Sequence, residues 1–181
     1  MRSRALKQYS TVSKILHWLI AFAVLGMLCV GFFLDDIPEQ YQATAYMLHK
    51  STGLTILMLM IIRFIWIHAS GKPPLPATTK LWERVLTRIV QYSFYVLLIM
   101  MPLSGWIMSV AAGRIPVYFG LFKVPFPGIE ENKSLAEFMV SSHVTIAWII
   151  IAFIVLHVAG ALKHHFINRD DVLRSMWPRS K

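Results

Sequence analysis

The chain has 181 residues and one cysteine, Cys29. A lone thiol excludes an internal disulfide and a four-cysteine iron–sulfur site. No C-x-x-C-H run occurs, so thioether attachment of a haem is excluded too. Charge is scarce. Only 15% of residues are charged, against about 25% in an average soluble domain. The acidic side is the poorer, with nine Asp and Glu against 18 Lys and Arg. The resulting net charge of +9 comes with no motif of nucleic-acid recognition, so nucleic acid is not an expected partner. Internal repeats and low-complexity tracts are absent from the sequence.

What fills the chain is apolar. Hydrophobic residues make up 56% of it and the mean hydropathy is +0.57, more than a soluble core of this size can absorb. Runs long enough to cross about 30 Å of hydrocarbon fall at 15–34, 43–67, 89–112 and 143–166. The expected fold is all-α: an integral membrane four-helix bundle forming one domain over residues 1–181, with membrane lipid around it. The first run follows Arg2, Arg4, Lys7 and Lys14 as a signal peptide would, but no small-x-small cleavage pattern precedes Asp35 and Asp36, so it is expected to stay. Pro73, Pro74 and Pro76 break the second connection. Gly113, Pro116, Pro125, Pro127 and Gly128 break the third, which leaves room for a short helix at 134–138.

Charge placement sets the orientation. The amino-terminal segment with its four basic residues, the second connection with Lys72, Lys80, Arg84 and Arg88, and the tail with Lys163, Arg169, Arg174, Arg179 and Lys181 all fall on one side. The other side carries Asp35, Asp36 and Glu39, then a third connection where Arg114, Lys123 and Lys133 are offset by Glu130, Glu131 and Glu137. The positive-inside rule makes both termini cytoplasmic.

Four histidines, His17, His49, His143 and His157, lie in or at the edge of these runs. An ionisable side chain inside a membrane is costly and marks a cofactor, an ion path or a proton relay. His143 and His157 are 14 residues apart, about four turns, so they leave one helix face roughly 21 Å apart. Topology then fixes depth. His49 and His143 fall near the periplasmic end, His17 and His157 near the cytoplasmic end. Two imidazoles facing each other at each of two levels is what bis-histidine ligation of two stacked haems requires, because bundle cofactor sites use facing helices. A small residue follows each of the four at the i+4 neighbour position: Ala21, Gly53, Ala147 and Ala161. His68, His164 and His165 are followed there by Lys72, Asn168 and Arg169.

Some residues keep two readings. Arg63, 14 residues past His49, either neutralises a haem propionate at the cytoplasmic level or snorkels to the interface. Lys50 either meets a propionate or is solvated at the span boundary. His68 reads as a loop residue. His164 lies seven residues past His157 on the same face, where it either serves a quinone site or belongs to a basic tail.

Together, His17-Trp18, His49-Lys50-Ser51-Thr52-Gly53, Arg63, Pro102-Leu103-Ser104-Gly105-Trp106, the interval His143 to His157, His164-His165 and Arg169-Asp170-Asp171 resemble the prokaryotic cytochrome b561 family. The resemblance covers nearly the whole chain. It implies a four-helix inner-membrane protein with two haems b (iron-protoporphyrin IX) on His17, His49, His143 and His157, the four that the depth argument reaches. It also implies an oxidoreductase that takes electrons from periplasmic superoxide and gives them to quinone. Lys50, Arg114, Lys123 and Lys133 would then steer the anion, and His164 would serve the quinone.

Two other readings stand beside this one. A di-haem cytochrome b can anchor a hydrogenase or dehydrogenase partner and pass its electrons to quinone. A histidine-lined metal transporter is disfavoured, since no intramembrane Asp or Glu accompanies the histidines and metal paths usually mix ligand types. A homo-oligomer is compatible with every reading.

Overall fold

The computed structural model describes residues 8–76 and 78–177. Arg2, Arg4, Lys7, Arg179 and Lys181, which enter the orientation argument, lie outside the described residues. Four helices are long and apolar enough to cross a membrane: α1 (Thr11–Phe32), α2 (Glu39–Ser70), α3 (Leu81–Ala111) and α4 (Lys133–Leu162), the last running on as a π-helical turn over Lys163–Asn168. Between α3 and α4 stand two short strands, β1 (Val117–Tyr118) and β2 (Phe122–Lys123).

The helix ends follow from local chemistry. Ser10 caps α1 by accepting from the Ser13 N–H at 3.2 Å, and Asn132 caps α4 by accepting from the Leu135 N–H at 2.9 Å, as short polar residues do at this position. Gly71, at φ 77°, ends α2 in the left-handed region open to glycine, just before Pro73 and Pro74.

Every helix differs in length from its hydropathy run. α4 starts at Lys133, ten residues before His143, so the separate short helix expected at 134–138 is the opening of α4, and no Gly or Pro stands between it and His143. α3 starts at Leu81 and carries Arg84 and Arg88, expected in the connection. His68 sits in the last turns of α2, not in a loop, with Nδ1 2.7 Å from the Phe64 carbonyl oxygen.

The hairpin is the other departure from an all-α reading. β1 and β2 pair antiparallel, Val117 with Lys123 and Tyr118 with Phe122. The turn uses positive φ at Phe119 (45°) and Gly120 (78°), the two successive left-handed residues of a type I′ turn.

Packing runs α1 on α2, α2 on α3 and α3 on α4. The buried core gathers Ile20 and Val24 of α1, Ile56 and Met60 of α2, and Ile146 and Ile150 of α4. Val24 is seven residues past His17, Ile56 seven past His49, and Ile150 seven past His143 and seven before His157. Seven residues is nearly two turns. The core is therefore an apolar layer on the histidine-bearing faces, midway between the two histidine levels.

Candidate haem sites

The structure brings the four histidines together in the pairs expected from depth. His49 and His143 have ring centres 6.5 Å apart with planes at 64°. For His17 and His157 the values are 6.1 Å and 61°. A metal held by one nitrogen of each ring needs centres about 6–6.5 Å apart, given a metal–nitrogen bond of about 2.0–2.1 Å, the zinc value, and about 1.1 Å from nitrogen to ring centre. Both gaps are the width of one metal atom. Each level offers two imidazoles, and among the described residues no three His, Cys, Asp or Glu gather into a metal-ion site.

The His49 level is the more fully built. A cleft of about 740 Å³, counting its open mouth, runs between the helices there, bounded by Met27 and Leu28 of α1, His49 and Gly53 of α2, Met101 and Gly105 of α3, and His143 of α4. His49 Nδ1 is buried in this structure with no hydrogen-bond partner, which is costly for a polar atom unless a ligand completes it. His143 is set differently. Its Nδ1 lies 3.0 Å from the Met101 carbonyl oxygen and 3.0 Å from Ser104 Oγ, and Ser104 donates its own proton to Met101 at 2.7 Å. A ligating histidine that donates its other N–H to a backbone carbonyl has a fixed tautomer and ring angle. Nε2 of His143 is left for a metal.

Glycines beside the rings keep this room open. A Cβ on Gly105 would stand 3.0 Å from His143 Cε1, and one on Gly31 3.7 Å from His49 Cε1. Of the small residues expected at i+4, Gly53 lines the cleft. The one tight contact, at Gly105, comes from another helix, and that at Gly31 is ordinary van der Waals distance.

Motif residues that carried only the resemblance acquire work here. Ser51, fully buried, donates to the Met47 carbonyl at 2.7 Å and accepts the Phe119 N–H at 2.8 Å. Thr55 Oγ1 meets the Tyr118 hydroxyl at 3.0 Å, and Trp106 donates to the Val124 carbonyl at 2.9 Å. The hairpin is thereby fastened over the end of α2 that bears His49, with buried Pro116 lining the cleft. Ser51→Ala strips the left-handed Phe119 of its N–H partner, at the cost of one hydrogen bond, about 0.5–1.5 kcal/mol. Hydrogen exchange of residues 117–123 should accelerate while the helices keep their protection. Unchanged exchange would mean that Ser51 does not hold the hairpin.

Lys50 is half-buried at the same level and donates to the Arg114 carbonyl at 3.3 Å. At the other level Arg63 is within electrostatic range of both His17 and His157. It does not reach out to solvent as a snorkelling residue would. Its Nη1 donates to the Ser13 carbonyl at 2.7 Å and its side chain bonds to Tyr95. Tyr9 lies against the same cation, and burial holds its phenol above the ordinary value, with Arg63 pulling the other way.

His164 is buried within the π-helical turn, with Nδ1 2.6 Å from Asp170 Oδ2. A solvated tail histidine is not what the fold contains. Next to it Lys163 pairs with Glu83 of α3 at 2.6 Å. His165 is half-buried and packs on Phe166.

The profile of the family described as prokaryotic cytochrome b561 matches residues 8–179. The chain belongs to the prokaryotic cytochrome b561 family. It is 33% identical to cytochrome b561 homolog 2 of Escherichia coli (strain K12), over 96% of this chain and 93% of that protein. It is 28% identical to the probable superoxide oxidase CybB of Yersinia pestis, over 97% and 98%. At 22% identity it also matches a probable Ni/Fe-hydrogenase B-type cytochrome subunit of Rhizobium leguminosarum bv. viciae, over 93% of this chain and 85% of that one. This cytochrome b561 is thus a bacterial membrane protein of electron transport, oxidoreductase-like, and its family implies haem b.

Proposed function

We propose that this cytochrome b561 carries single electrons across the membrane through two bis-histidine haems b, one on His49 and His143, the other on His17 and His157. The donor side is the hairpin side and the acceptor is membrane quinone at the opposite end. The observation that carries the reading is the two imidazole pairs, 6.5 and 6.1 Å between ring centres, at two levels of one bundle. Haem b held by these two histidine pairs would supply one-electron transfer.

The remaining work belongs to the chain's own residues. His143 is oriented by Met101 and Ser104. The core layer around Ile56 and Ile150 excludes water between the levels. Lys50, beside His49 and near Arg114, favours approach of an anion at the hairpin side, which supports superoxide as the donor. Two superoxide anions each lose one electron to give dioxygen, and quinone takes both electrons with two protons to give quinol. With both termini cytoplasmic, as the basic loops argue, the hairpin is periplasmic and those protons come from the cytoplasmic side, where His164 is the proton-bearing group at the proposed quinone site.

Purified protein mixed with a superoxide source and a short-chain ubiquinone should form quinol in step with superoxide loss. Failure to do so with both haems bound and reducible would remove superoxide as the donor. The relationship to the hydrogenase cytochrome subunit supports a second reading, an anchor for a partner oxidoreductase. Stable co-purification with a larger redox enzyme would favour it.

Arg63 offers a test of the lower site. A cation beside a haem favours its reduced state, so Arg63→Gln should lower the potential of the His17–His157 haem and leave the other in place. An unchanged redox titration would confine Arg63 to its bonds with Ser13 and Tyr95.

A further inference from the structure

The end of α4 holds a polar device that the electron path does not use. The chain leaves the helix through the π-helical turn Lys163–Asn168 and reverses at Arg169, whose φ of 53° is left-handed. π-turns are rare and recur at functional sites. The reversal brings Asp170 back onto His164 twice: its backbone N–H donates to the His164 carbonyl at 3.1 Å, and its Oδ2 lies 2.6 Å from His164 Nδ1. The other carboxylate oxygen, Oδ1, accepts the Val172 N–H at 3.0 Å. The carboxylate is therefore fixed before it meets the ring. Asn168 Nδ2 stands 3.3 Å from the same Nδ1, but an amide nitrogen can only donate, so once Nδ1 carries the hydrogen that meets the carboxylate at 2.6 Å the Asn168 contact holds no hydrogen bond. The other charged groups against His164 are Glu83 of α3 and Lys163 of its own helix, and these two neutralise each other at 2.6 Å.

We propose that Asp170 is a positioning residue for quinone reduction, which holds the Nδ1 proton of His164 so that Nε2 is the atom that gives a proton to a quinone carbonyl oxygen. The inference rests on the quinone site proposed above. A carboxylate that orients imidazole through Nδ1–H fixes which nitrogen does the proton transfer. As two electrons reach the quinone, each oxygen gains one proton. His164 delivers through Nε2 and is reprotonated from the cytoplasmic side. Lys163 and Asp170 lie between the ring and solvent, their side chains 36% and 13% exposed.

The test follows reoxidation of chemically reduced, haem-loaded protein, freed of excess reductant, by a short-chain ubiquinone. In Asp170→Asn the amide offers an N–H to Nδ1 and forces the ring proton onto Nε2. That Nε2–H still donates to the quinone, so KM should hold, but the ring cannot cycle its proton. kcat should fall about 10–100-fold, the range seen when a histidine's supporting partner is lost, and Asp170→Glu should restore most of it. A His164→Gln variant separates the two levels of the claim. If it reoxidises at the wild-type rate, the quinone reading itself fails, and this inference with it. If it is slow while Asp170→Asn is not, the quinone reading stands and Asp170 has no part in it. If Asp170→Asn raises KM and lowers the melting temperature together, with no rescue by Glu, Asp170 merely pins the tail and the inference is overturned.

Discussion

His143→Ala is expected to remove one haem from each chain and leave the other spectrally intact, and His49→Ala should remove the same one. His17→Ala and His157→Ala should each remove the other. The expectation follows from the pairing: the two rings of each level stand 6.5 or 6.1 Å apart centre to centre, so each haem would depend on both members of its own pair. The loss should also lower stability, because a ligand bound only by the native state stabilises it in proportion to its occupancy. Haem stoichiometry and the reduced α-band of each variant measure the outcome. Loss of the same haem from His17→Ala and His49→Ala would overturn the assignment.

The two variants of a pair need not be equally severe. His143 arrives already oriented by the Met101 carbonyl and Ser104 Oγ, whereas His49 has a buried nitrogen without a partner. Ser104→Ala removes one of the two groups facing His143 Nδ1 and spares the carbonyl. It should therefore loosen the same haem without expelling it.

Much of the site is legible in the sequence because a helix repeats every 3.6 residues. The 14-residue interval from His143 to His157 and the chain's up-and-down course suffice to match His49 with His143 and His17 with His157. Hydropathy reports where hydrocarbon lies, not where a helix stops, so it missed the first ten residues of α4 and the start of α3 at Leu81. The hairpin was illegible for another reason: strands of two residues carry no period, and their stability comes from Ser51, Thr55 and Trp106, which are distant in sequence. The i+4 small residues lie on the histidines' own helices, while the glycines beside the rings, Gly31 and Gly105, approach from neighbouring helices. A pattern within one helix does not encode what crosses it. For His164, the face could be read from spacing, but its carboxylate partner required the left-handed reversal at Arg169 that no periodicity announces.

Gly105 yields the second large effect. On propensity alone, Gly→Ala inside a helix stabilises by about 0.8–1.0 kcal/mol. Here the new methyl would stand 3.0 Å from His143 Cε1 and 3.3 Å from Nδ1, closer than carbon atoms pack. The ring or α3 must give by a few tenths of an ångström, against the contacts that tie Nδ1 to Ser104 and the Met101 carbonyl; overpacking costs about 1–3 kcal/mol. The clash outweighs the propensity gain over most of that range, so Gly105→Ala should lower stability and disturb the spectrum of the His49–His143 haem alone, with Gly105→Val more severe. Gly160→Ala on α4 is the control, since a Cβ there meets nothing within 4 Å. It should keep both haems and melt no lower than the parent. If Gly105→Ala behaves like Gly160→Ala in both spectrum and melting, the close approach of α3 to His143 does not set the geometry of the upper haem site.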